Sequence, residues 1–94
     1  MEIEYEIEYT PKAIEDINFW KKSGQKIIHE KISQLLKSIS QTPTEGIGKP
    51  EPLKHELCGC YSRKINSKNR IIYTINEIAN IVVIHSLRGH YYDK

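Results

Sequence analysis

Cysteine is scarce: Cys58 and Cys60 stand one glycine apart, and no others occur among the 94 residues. A pair so placed cannot build a disulfide framework, and without a second pair it cannot complete a four-ligand zinc site, so reduced thiols are expected. Long apolar runs are missing as well. No stretch approaches the roughly 18 residues that cross a bilayer, and the first ten residues are acidic where a secretory leader is basic and then apolar. No membrane association is expected, and the cytoplasm is the default location. The four histidines (His29, His55, His85 and His90) include no pair at the helical or hairpin spacing of metal ligands. Neither a metal nor another cofactor is expected.

What is present suffices for one small domain spanning 1–94. Ile, Val, Leu and Phe make up about a quarter of the chain, above the range of disordered sequences. Residues 2–9 alternate strictly, Ile3, Tyr5, Ile7 and Tyr9 on one side and four glutamates on the other, which is the period of a half-buried strand. Thr10 and Pro11 read as a helix cap and first helical residue. An apolar stripe through Ala13, Ile14, Ile17 and Trp20 then carries a helix to about Lys22. Ser23 and Gly24 interrupt it, and Ile28, Ile32, Leu35 and Ile39 repeat at helical spacing in a second helix. Thr42–Pro52 holds three prolines and two glycines, too many for a helix or a central strand, so a shaped loop is expected. Three strand-like runs follow near 60–66, 69–76 and 80–86. The predicted architecture is α+β: an N-terminal strand and a two-helix hairpin packed on a mostly antiparallel four-stranded sheet.

Charge is unevenly laid out. The first ten residues carry only acids, whereas 46–70 holds Lys49, Lys54, Arg63, Lys64, Lys68 and Arg70 against Glu51 and Glu56, with His55 among them. Such a stretch suits phosphates, although solvated surface charge produces the same pattern. Four groups stand at element edges, where a scaffold can aim them. Glu51 lies between two prolines on a stiff backbone, Arg70 opens a strand, and His90 and Tyr91 follow the last strand.

The run EGIGKPEPLKHELCGCYSRKINSKNRIIYTI, with LRGHY near the end, resembles the Txe/YoeB branch of the RelE-type toxins. The likeness is strongest over 45–91, and GKPEPLKH at 48–55 is its most specific part. The resemblance implies a RelE-like fold and the toxin of a type II toxin–antitoxin pair, an endoribonuclease that binds the ribosome and cuts mRNA there. By matching position it implies Glu51 as general base, Arg70 as the phosphate-stabilising cation, His90 as general acid and Tyr91 as an orienting group. Lys49, Lys54, His55, Arg63 and Lys64 would hold RNA or ribosomal phosphates, and Tyr61 would stack on a base. Its partners would be an acidic antitoxin of the YefM/Axe kind, the ribosome and mRNA, with self-association left open. The competing expectation is a same-fold, ParE-like toxin that binds a protein such as DNA gyrase and cuts no RNA, since fold alone does not decide activity. Tyr92, Asp93 and Lys94 extend past the point where the family commonly stops.

Overall fold

A computed structural model describes residues 4–53 and 59–89. The chain runs β1 (Glu6–Tyr9), α1 (Pro11–Ser23), α2 (Lys26–Gln41), β2 (Glu51–Pro52), β3 (Cys60–Lys64), β4 (Arg70–Asn76) and β5 (Ile81–Ser86). The strands form one sheet in the order β1-β5-β4-β3-β2. Among the described residues only the β1–β5 pair is parallel; the other three pairs are antiparallel.

Local chemistry accounts for the helices. The Thr10 hydroxyl accepts the Ala13 amide at 3.1 Å, Pro11 opens the helix where its missing N–H is no loss, and Gly24 ends it with φ +72°, a left-handed turn that glycine adopts without strain. Ile32, Leu35 and Ile39 of α2 pack with Ala13 and Trp20 of α1 against Ile71, Tyr73, Val82 and Ile84 of the two central strands. Strand alternation therefore assigns one sheet face to the helices and leaves the intervening residues on the opposite face. No helix among the described residues is long and apolar enough to span a membrane.

Two details differ from the expected four-stranded sheet. Glu51–Pro52, read from the sequence as loop, adds a fifth strand by pairing with Tyr61 and Ser62. Its proline is tolerated because the strand lies at the sheet edge. The first strand is also shorter than the alternating run: the Tyr5 amide bonds to the Ser40 carbonyl at the end of α2, at 2.7 Å, and the β1–β5 pairing begins at Glu6. A bulge further shifts the register between β4 and β5, so that Tyr73 faces Ile84 while Ile72 faces Ser86. His85 is the extra residue, and its Nε2 lies 2.9 Å from the Thr74 hydroxyl.

Candidate active site

The face turned away from the helices is read from the register. Glu51 pairs with Ser62, Ser62 with Ile72 and Ile72 with Ser86, making one row across four strands. The next row pairs Lys64 with Arg70. Residues directly opposite in a sheet share a face, as do residues two apart in a strand, so Glu51, Lys64 and Arg70 stand on one surface. Sheet spacing puts the Glu51 and Arg70 backbones about 12 Å apart, two strands across and one row along. Side chains of their length reach toward a common point from that separation. Glu51 is exposed, and Lys64 and Arg70 are half-buried. Lys49, exposed, precedes this edge in a left-handed conformation with φ 51°.

Arg63 and Tyr61 occupy the other face, and the complete burial of Arg63 corrects the expectation that it meets RNA. Adjacent residues of a strand point oppositely, so Arg63 and Lys64 cannot both face a ligand. Tyr61 packs beside Tyr73, with ring centroids 6.0 Å apart and planes at 25°, and is partly buried against the helix-side core. Arg63 is wholly buried. Its Nε donates to the Tyr73 hydroxyl at 3.1 Å. Nη1 donates to Ser38 Oγ at 2.7 Å and the Ile47 carbonyl at 3.0 Å, and Nη2 to the carbonyls of Thr42 at 2.6 Å and Glu45 at 2.8 Å. All five guanidinium N–H groups are thereby used. Tyr73 completes the cluster by donating to the Pro43 carbonyl at 2.6 Å. Burial holds the Tyr73 phenol above its ordinary pKa, against the opposing hydrogen bond and charge of Arg63, so it stays a donor. The loop can lie this close because Gly46 and Gly48 carry no side chain: a Cβ on Gly46 would collide with Ser38 Oγ, and one on Gly48 would meet Leu35 Cδ2 at 2.5 Å.

His90 and Tyr91, and with them Lys54 and His55, lie outside the described residues. The chain leading to His90 is firmly held as far as Gly89. Asp16 Oδ2 accepts the Leu87 amide at 2.9 Å, and Trp20 Nε1 donates to the Leu87 carbonyl at 2.9 Å. The Arg88 guanidinium lies 3.8 Å from the centroid of the Phe19 ring, a cation–π contact. Asn69 Oδ1 accepts the Gly89 amide at 2.8 Å, and the Gly89 carbonyl accepts the Arg70 amide at 3.0 Å. One peptide before His90, the backbone is therefore bonded to Arg70 itself.

The sequence matches the profile of the YoeB-like toxins of bacterial type II toxin–antitoxin systems over residues 9–91. Toxin YoeB of Escherichia coli K12 is 36% identical over 83 residues, covering 88% of this chain and 95% of its own. The chain belongs to the YoeB-like toxin family. Solved structures agree. A YoeB/ParE toxin from Agrobacterium tumefaciens superposes with a TM-score of 0.85 at 31% identity, over 92% of this chain and 99% of that one. The toxin of a YoeB–YefM complex from Staphylococcus aureus gives 0.79 at 42% identity, over 93% and 98%.

In this YoeB-like toxin, Asp16 and Asn69 are supporting residues that the sequence did not single out, and Trp20, read there only as part of an apolar stripe, is a third. A signal for Asp16 was present. It lies three residues after Ala13 and four before Trp20, a core position of the helical stripe, where a carboxylate needs a bonding partner. A surface hollow of about 410 Å³ lined by Trp20, Lys21, Gly24, Gln25, Lys26, His29 and Glu30 sits at the elbow of the helices and includes none of Glu51, Lys64 or Arg70.

Proposed function

We propose that this YoeB-like toxin is a ribosome-dependent mRNA endoribonuclease working by metal-free general acid–base catalysis. RNA carries its own nucleophile, so the enzyme has to remove the 2′-OH proton, stabilise the charge gathering on phosphorus and protonate the departing 5′ oxygen. Glu51 takes the first role, Arg70 the second and His90 the third, with Tyr91 orienting the reacting groups. The attacking 2′ oxygen forms a bond to phosphorus as the bond to the 5′ oxygen breaks. The products are a 2′,3′-cyclic phosphate, or the 3′-phosphate from its hydrolysis, and a 5′-hydroxyl end.

The observation that carries this reading is the register-imposed placement of Glu51 and Arg70 on one sheet face, with Gly89 bonded to Arg70 just before His90. Lys49, Lys54, His55 and Lys64 supply contacts to RNA or ribosomal phosphates, and the toxin acts in the cytoplasm, where translating ribosomes are. An acidic antitoxin neutralises it by covering this face, in keeping with the YoeB–YefM pairing of the Staphylococcus relative. The test is to incubate the purified toxin with translating ribosomes and map the mRNA ends. Cleavage in the decoding site with 5′-hydroxyl products is expected; intact mRNA would refute the nuclease reading.

A further inference from the structure

Arg63 carries a charge into the protein interior, yet its five bonded partners include no carboxylate: they are three carbonyls and two hydroxyls. Burying a cation is costly, and an apolar side chain would fill the same space without that cost. What an apolar side chain could not do is bind five acceptors in a fixed planar fork. The three carbonyls all belong to the loop at 42–47, while the hydroxyls come from α2 and β4, so one guanidinium ties the loop to both layers of the fold. The loop leads directly to Glu51. After Ile47, the Gly48 carbonyl accepts the Lys64 amide at 2.7 Å; Lys49 follows in its left-handed turn, then Pro50 with its restricted φ.

We propose that Arg63 is a positioning residue for Glu51. Its hydrogen-bond cage fixes the loop that sets where the Glu51 carboxylate leaves the sheet edge, and it acts through the backbone without touching RNA. The inference rests on Glu51 being the base.

The test is single-turnover cleavage on programmed ribosomes by the paired variant Ser38→Ala/Tyr73→Phe, which removes both hydroxyls of the cage but keeps Arg63 and the Tyr73 ring. Circular dichroism establishes folding at the assay temperature; if the paired variant is unfolded there, Ser38→Ala alone carries the same comparison. The rate at saturating ribosomes should fall about tenfold, as small displacements of a catalytic group do, with the half-saturating concentration changed less than twofold. Ser38→Thr, which retains a hydroxyl, should retain the rate. In a Glu51→Ala background the paired change should cause no further loss, because the group it positions is gone. A folded paired variant with an unchanged rate, or an equal fall in both backgrounds, would overturn the proposal. So would a weakened half-saturation with the rate intact, which would place the cage in ribosome binding. Wild-type cleavage by Glu51→Ala would remove the base and this inference with it. An inactive Glu51→Ala beside an unimpaired paired variant would overturn the positioning role alone.

Discussion

Replacing Asp16 by Ala tests how the segment before His90 is anchored. Asp16 is 2% exposed, and its carboxylate accepts the buried Leu87 amide at 2.9 Å. Alanine leaves that amide without its acceptor in a place water does not reach, at about 1–3 kcal/mol, toward the upper end because the lost acceptor was charged. The ion pair with Lys12 at 2.8 Å adds little, since the Lys12 side chain is 58% exposed and such pairs contribute roughly 0–1 kcal/mol. A loss of about 2–3 kcal/mol corresponds to a fall in Tm of roughly 10–20 °C for a domain of this size. Asp16→Asn keeps an oxygen in the same position and should recover most of the stability, while Lys12→Ala should lie within about 1 kcal/mol of the parent. Urea and thermal unfolding measure all three. An Asp16→Ala protein within about 0.5 kcal/mol of the parent would refute the anchoring argument. Asp16→Asn as unstable as Asp16→Ala would show that the charge matters and the acceptor does not.

The other predictions concern the reaction, ribosome binding and alkaline stability. Glu51→Ala and Arg70→Ala should each lower ribosome-dependent cleavage by about 10²–10⁴-fold, the usual contribution of an acid–base or charge-stabilising group, with thermal unfolding showing folded proteins; near-normal cleavage by either variant would remove its role. Ribosome affinity should drop steeply with added salt, and Lys64→Ala should reduce the log–log slope by about 0.7–0.9, one phosphate contact; an unchanged slope in a filter-binding titration would take Lys64 off the RNA face. Burial raises the folded-state pKa of Tyr73 above the ordinary 10.0, so its contribution to stability is complete below pH 10.0 and is lost as pH rises through the higher folded value. Tyr73→Phe should flatten that alkaline decline in urea-monitored stability, and a decline of unchanged slope would rule out Tyr73 as its source.

The elements legible in the sequence were those specified by nearby residues. Thr10 with Pro11 and Gly24 delimit α1, and the four-three-four spacing from Ile28 to Ile39 defines α2, because caps and amphipathic stripes act within a few residues. The Glu51–Pro52 strand was illegible because two residues acquire strand character only from the ladder β3 offers them. The difference between Arg63 and Lys64 was partly legible: alternation required one of the two to turn inward, but which one followed from the register with Ile71 and Tyr73, eight and ten positions away. Asp16 is the reverse case, a local anomaly on an apolar stripe whose partner, Leu87, lies 71 positions along the chain. Within the basic stretch 46–70 the fold likewise separates Lys64 and Arg70, on the open face, from the buried Arg63 on the other.

The sheet order has a consequence for biosynthesis. Of the described strands β5 is made last, yet it lies between β1 and β4, and the β1–β5 junction is closed by bonds such as that from the Thr10 hydroxyl to the His85 carbonyl, 75 residues apart. Until β5 has left the ribosome, β1 has no strand to join, Val82 and Ile84 are missing from the core, and Asp16 has no Leu87 amide to hold. Such long-range closure cannot be built up in stages by local contacts. A ribosome translating this toxin therefore carries an incomplete sheet until β5 emerges, and the face bearing Glu51 and Arg70 gains its supporting strand only then.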